Sequence, residues 1–191
     1  MSVCHSLDIF IKELRTDLPK NPPPSLPGLR FEELRAEGIE HLKFEPGLPS
    51  ADKCKQQFER GARLFGVVQS GRVLASNWIN TRFADLTHIN RPQVKVLAGS
   101  VYAYGIVVSE TLRGQGIGRW LKFSLYEKLR REGFRYSFLA VFLKDIRVSR
   151  WHLSCDCTRW GRIFYFQRGG KDYWWVRRTE TGKKYPGILA D

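Results

Sequence analysis

No apolar run in this chain is long enough to cross a bilayer; the longest, near Phe138 to Leu143, falls far short of the roughly 20 residues a spanning helix needs. The N-terminal stretch carries Asp8, Lys12 and Glu13 among its few apolar residues, which no secretory leader does. Cysteine is scarce, four in 191 residues, so a disulfide-stapled scaffold is excluded and a reducing compartment fits. On these grounds the chain is read as cytoplasmic. His152, Cys155 and Cys157 stand close together, but H-x-x-C-x-C has no second pair of ligands, and no metal is expected there. Repeats are absent, and low complexity is confined to one proline run. The composition is that of a globular protein with one substantial core.

Acidic residues are few: 19 Asp and Glu against 32 Lys and Arg, a net charge of +13. The deficit is local. Arg113 to Lys184 holds 18 basic and 6 acidic residues, a balance of +12, whereas residues 1–112 hold 14 and 12. The second half therefore presents a positive field suited to phosphates, to an acidic protein or to a nucleic acid.

Hydrophobic periodicity orders the chain. Leu7, Ile9, Phe10, Ile11, Leu14 and Leu18 suggest a short amphipathic helix, and five prolines between Pro19 and Gly28 make an extended connector. Residues 1–28 are thus expected as an appended segment and 29–191 as the domain proper. Leu29 to Leu34 reads as a strand, and Ser50 caps a helix over Ala51 to Arg63. Leu64 to Val68 and Val73 to Asn80 form a hairpin across Ser70-Gly71. Thr81 to Lys95 is polar and uneven, a loop. A buried strand, Val101 to Val108, precedes a helix from Gly118 to Glu132 with Ile117, Trp120, Leu121, Leu125 and Leu129 on one face. Tyr136 to Leu143, almost wholly apolar, reads as a central parallel strand. Ser149 to Cys157 reads as a helix, and Arg162 to Gln167 with Asp172 to Arg177 as a closing hairpin. The fold class is α/β: a mixed sheet flanked by helices.

Between strand and helix stands Arg113-Gly114-Gln115-Gly116-Ile117-Gly118. Such a turn leaves backbone N–H groups unpaired at the positive end of a helix dipole, a seat for a pyrophosphate. Gly114, Gly116 and Gly118 allow close approach and positive φ at little cost. Arg113 and Arg119 add charge-assisted donors. A Walker loop is excluded, because Gly118 is followed by Arg119-Trp120 and not by Lys and a hydroxyl residue. The dinucleotide fingerprint is excluded by position and by spacing, R-x-x-G-x-G in place of G-x-G-x-x-G.

The strand, the R-x-x-G-x-G turn and the helix resemble motif A of the GNAT N-acetyltransferase superfamily, and the element order from Leu29 to Arg178 resembles that fold. The resemblance implies a mixed, splayed sheet and acetyl-coenzyme A as co-substrate. It also implies direct attack of a primary amine on the thioester. Ile106, Val107 and Val108 match the strand positions whose backbone pairs with pantetheine, and the N–H near Val107 or Val108 would polarise the thioester carbonyl. Arg113 to Gly118, including Gln115 and Ile117, would cover the pyrophosphate.

Departures from the family pattern fall on the proton-transfer groups. The strand before the turn has no Glu; the matching position is Tyr102. The Asn and Tyr expected further on are also missing. Arg150 or Ser149 stands at the Asn position and Cys157 at the Tyr position, with His152 a titratable neighbour. Tyr102, His152 and Cys157 are therefore the catalytic candidates and Ser149 a further cofactor contact. Trp78, Trp151 and Trp160 are candidate walls of an acceptor pocket.

Two alternatives stand beside this reading. A long-chain donor carried by acyl-CoA or by an acidic acyl carrier protein suits the basic half. A nucleic-acid-binding module suits the Arg162 to Arg168 and Asp172 to Arg178 segments, where aromatics alternate with arginines.

Overall fold

The computed structural model describes residues 4–14, 18, 24, 26–86 and 91–185. Strands β1 (Cys4–Glu13), β2 (Arg30–Leu34) and β3 (Lys43–Phe44) are followed by helix α1 (Ala51–Glu59). Then come β4 (Arg63–Gln69), β5 (Arg72–Asn80), β6 (Phe83–Leu86), β7 (Arg91–Lys95) and β8 (Ser100–Val108). Helix α2 (Ile117–Arg131), β9 (Tyr136–Phe142), α3 (Ile146–Ser154), β10 (Thr158–Arg168) and β11 (Lys171–Arg178) complete the order. The fold is a mixed α/β one, as the sequence implies, and it divides into two compact units.

The first unit takes in Met1–Glu13, Arg82–Tyr102 and Tyr136–Asp191. Its strands run β11, β10, β1, β9 and the start of β8, with β1 antiparallel to both β9 and β10. The helix expected over Leu7 to Leu18 is therefore corrected: Leu7 to Glu13 lie in β1, a strand with hydrogen-bonded neighbours on both edges. Leu7, Ile9, Phe10 and Ile11 are all buried, and so are Asp8 and Lys12, so no solvent-facing side marks the strand, and Phe10 interrupts the apolar–polar alternation. The spacing of apolar residues then resembles a helical stripe. The proline connector falls largely outside the described residues. The loop expected over Thr81 to Lys95 is likewise corrected, since β6 and β7 pair as a two-stranded sheet. Its polar residues and Pro92 hide the strand signal.

The second unit takes in Leu14–Thr81 and Ala103–Arg135. It orders the rest of β8, β5, β4 and β2, with β3 parallel to β5. The Ser70-Gly71 hairpin is present, with φ of 49° and 76° at its two turn residues. Leu34, Ile39, Cys54, Leu64, Val68, Val73 and Trp78 form a core cluster under α1. Burial pushes the Cys54 thiol up to about 11, so it stays protonated at neutral pH. Helix α2 buries Ile117, Leu121, Leu125 and Leu129 along the stripe read from the sequence, and it packs on β4 and β5. Arg63 ties β4 to β2 and to the end of α2, donating to both Glu33 oxygens (2.7 and 2.8 Å) and both Glu132 oxygens (2.7 and 2.9 Å). That pairing with Arg63 holds the Glu132 carboxyl below the usual range.

Phe10 is fully buried on β1. Phe10→Ala is expected to cost about 3 kcal/mol of unfolding free energy in urea, the lower end for a buried phenylalanine. A loss under 1 kcal/mol would mean that the N-terminal segment is only an appendage.

Candidate functional site

β8 does not run straight. Its ladder to β9 covers only Ser100↔Tyr136, Val101↔Ser137 and Tyr102↔Phe138, and both strands run parallel there. At Gly105 the backbone takes φ +58°, a conformation that L side chains rarely adopt, and a Cβ there would come within 3.3 Å of the Trp78 ring. The kink is held from β5. Asn77, fully buried, donates through Nδ2 to the Tyr104 carbonyl at 2.8 Å and to the Trp78 carbonyl at 3.1 Å. Its Oδ1 accepts from the buried Lys122 ammonium of α2 at 3.4 Å. Below the kink Ile106, Val107 and Val108 are half-buried, and the Ser109 N–H donates to the Leu74 carbonyl. A glycine inside an apolar strand is the signal that could have marked this kink, although Val101 to Val108 was expected as one unbroken strand.

After β8 the chain makes one 3-10 turn, Glu110–Leu112, and reaches the glycine loop. Gly114 and Gly116 both take positive φ, +80° and +79°, and Gly116 is the N-cap of α2 with no side-chain cap. Gly118 was expected to share that conformation. It lies instead within the first helical turn, where its contribution is the missing Cβ alone. The first intrahelical bond runs from the Trp120 N–H to the Gly116 carbonyl at 2.9 Å. The N–H groups of Ile117, Gly118 and Arg119 precede it and have no intrahelical acceptor. A Cβ on Gly114 or Gly116 would meet nothing within 4 Å. Open space thus lies over a row of amides at a helix N-terminus, with no carboxylate in the first turn to fill it. Amides exposed at the uncapped start of a helix suit an anion such as a phosphate. Arg113 is exposed and pairs with Glu110 at 3.2 Å; Arg119 is exposed and lies over the Phe123 ring.

In the same unit a cleft of about 350 Å³ opens between α1 and the kinked strand, lined by Pro49, Lys53, Gln56, Gln57, Trp78 and Tyr104. The Tyr104 hydroxyl donates to Gln57 Oε1 at 3.1 Å, and its ring lies nearly parallel to Trp78 at 6.4 Å. Phe58 backs the indole edge-on. Trp78, one of the three tryptophans expected to wall an acceptor pocket, lines this cleft. Tyr104 and Gln57 were not among the candidate site residues; for Tyr104 the clue was the strand period, which carries it to the same face as Tyr102, and for Gln57, on α1, there was none.

The remaining candidates lie in the first unit. Tyr102, His152, Cys157 and Ser149 are buried, with 5, 4, 5 and 7 % of their surface exposed. His152 packs against Phe10 and edge-on to Trp151 at 4.8 Å. The His152-x-x-Cys155-x-Cys157 run closes α3: the Cys155 and Cys157 N–H groups both donate to the His152 carbonyl at 3.1 Å. Asp156 takes φ +60° to make that turn. Among the described residues no group of three His, Cys, Asp or Glu side chains is placed to hold a metal ion. Trp160 is buried beneath the Arg178 guanidinium, and Trp151 is half-buried.

A family profile described as "Acetyltransferase (GNAT) family" matches residues 31–155. No curated protein sequence matches the chain. Among solved structures it is similar to a GCN5-related N-acetyltransferase from Sphaerobacter thermophilus, with TM-score 0.55, 16% identity, and 88% of this chain and 54% of that one covered. It is similar to an acetyltransferase of the GNAT family from Colwellia psychrerythraea, with TM-score 0.54, 17% identity and coverage of 87% and 56%. It is also similar to a tandem GNAT protein of the clavulanic acid biosynthesis pathway, with TM-score 0.59, 15% identity and coverage of 87% and 54%. At these identities the likeness is one of fold. The chain spans about half to two thirds of the length of these and several other structures.

Asn77 connects β5, the kinked strand and α2. Asn77→Ala is expected to lower unfolding free energy by about 2–3 kcal/mol, since it leaves a buried carbonyl and a buried ammonium short of a partner. A urea titration showing less than 0.5 kcal/mol would detach the kink from this network.

Proposed function

The chain belongs to the GNAT acetyltransferase family, whose enzymes use acyl-CoA, and from that premise we propose that it transfers acetyl from acetyl-CoA to a primary amine. The observation that carries the reading is the open cradle over Gly114 and Gly116 at the uncapped N-terminus of α2.

The amides from Gly114 to Arg119 would bind the pyrophosphate, with Arg113 and Arg119 near enough in sequence to add charge. Coenzyme A, when bound, supplies the acyl group as an activated thioester. The half-buried backbone of Ile106, Val107 and Val108 would orient its amide arm as a strand edge accepts a peptide. An N–H near Val107 or Val108 would donate to the oxygen that gains charge as the amine attacks. The Gly105 kink sets the direction of those groups, and Asn77 fixes the kink.

The cleft beside the kink suits the acceptor. Trp78 and Tyr104 offer flat apolar walls, and Gln56, Gln57 and the Tyr104 hydroxyl offer neutral hydrogen-bonding groups. For the proton steps the burial of Tyr102, His152 and Cys157 favours packing roles. The Tyr104 hydroxyl, in the cleft and hydrogen-bonded to Gln57, is the group we favour for relaying the amine's proton.

Thermal unfolding with coenzyme A, acetyl-CoA and a long-chain acyl-CoA tests the assignment. At ligand concentrations about a hundredfold over Kd, coenzyme A species are expected to add about 2.7 kcal/mol, a rise of roughly 5–10 °C. Gly116→Trp, which fills the open space over the loop, is expected to abolish the rise while the variant still unfolds cooperatively. A normal response from that variant, or none from the unaltered chain, removes the assignment. A response to the long-chain species alone would make the donor a long acyl group.

A further inference from the structure

β10 and β11 form an antiparallel hairpin whose register places four cross-strand rows on one face. These are Arg162↔Arg177, Phe164↔Trp175, Phe166↔Tyr173 and Arg168↔Lys171. The two inner rows are ring stacks. Phe164 and Trp175 lie 4.7 Å apart at 8°, and Phe166 and Tyr173 lie 4.7 Å apart at 10°. The two outer rows are cationic, and the Arg162 guanidinium also lies over the Phe164 ring at 5.8 Å.

Buried aromatics need no ligand, but these are not buried. Trp175 is 47 % exposed and Tyr173 42 %. β11 ends the strand order, so among the described residues each stack finishes on a ring with no further strand beside it. Burying such rings against a partner would gain free energy that the free chain forgoes. Arg168, Lys171 and Arg177 are exposed, and among the described residues none of the three is in an ion pair. At the Arg162 end a groove of about 720 Å³ opens, lined among others by Arg159, Arg162, Phe164, Arg177 and Lys183. Asp8 at its floor is buried and already paired with Arg159 (3.3 Å) and Arg162 (2.7 Å).

We propose that this face binds single-stranded nucleic acid, with unpaired bases extending the two ring stacks and phosphates on the flanking cations. The aromatic rows are about 7 Å apart along the strands and the cationic rows about 20 Å apart, at 3.4 Å per residue. That leaves room for two stacked bases with backbone contacts on either side, the arrangement sheet-borne aromatics use with unpaired RNA. An acidic peptide without aromatic residues would satisfy the cations but offers no flat ring to extend the stacks. A duplex keeps its bases already stacked. The proposal is independent of the acyl-transfer reading, because none of these residues belongs to the cradle or the cleft.

The test is fluorescence anisotropy of the full chain with a fluorescein-labelled dodecamer of uridine, with a duplex of equal length and polyglutamate as competitors. The single strand is expected to bind with an affinity that falls as salt rises. Trp175→Ala is expected to weaken binding about tenfold or more, since one base stack is lost. Arg168→Ala and Arg177→Ala are each expected to lower the slope of log affinity against log salt by about one. Circular dichroism of each variant checks that it is folded. No binding of the single strand overturns the proposal. Equal competition by duplex or polyglutamate, with Trp175→Ala without effect, overturns it in favour of a site for any polyanion. A dimer that Trp175→Ala breaks, with no oligonucleotide bound, overturns it in favour of an interface between two copies.

Discussion

Backbone amides at the start of a helix must find acceptors, and the first turn of α2 has none of its own to give them. Most helices meet this demand with a serine, threonine or aspartate at the cap, as Ser50 does for α1 by accepting from Lys53. At α2 the cap is Gly116, with positive φ, and the first turn carries no acidic residue. The positive end of the longest helix is left open to an anion. Everything proposed for catalysis depends on that choice, because a pyrophosphate seated there fixes where the rest of coenzyme A can reach.

The strand that feeds the loop shows a second exception to regular structure. β8 bends at Gly105, and a buried asparagine and lysine hold the turn from β5 and α2. Burying a lysine is costly. Here Lys122 has an amide oxygen and the Tyr126 ring as partners, and in return it joins three elements at the point where the strand bends. Loop and kink are adjoining departures from ideal geometry, each supported by a regular neighbour.

Much of this was readable before any coordinates, for physical reasons. α2 declared itself because one face is core and the other solvent, so Ile117, Leu121, Leu125 and Leu129 recur at the helical period. The glycine loop was legible because chain geometry leaves few residue types able to make that turn. β1 was not legible. Flanked by β9 and β10 and buried from Leu7 to Lys12, it has no exposed face; Phe10, between Asp8 and Lys12, breaks the period of two, and Leu14 and Leu18 complete a misleading helical spacing. The β10–β11 hairpin was found, but not which of its aromatics stay exposed. Burial on an edge strand depends on what lies beyond the edge, which composition does not record. Tyr102 and Cys157 were assigned by offset from a motif and His152 by its chemistry, and neither reports exposure.

The central claim is that the amides of residues 114–119 are a seat for a pyrophosphate. It is tested most directly by titrating ¹⁵N-labelled protein with coenzyme A and following amide resonances. The account predicts the largest shifts at Gly114, Gly116, Ile117, Gly118 and Arg119, with smaller ones along Ile106 to Val108. Saturable binding that leaves those loop amides unmoved would contradict it.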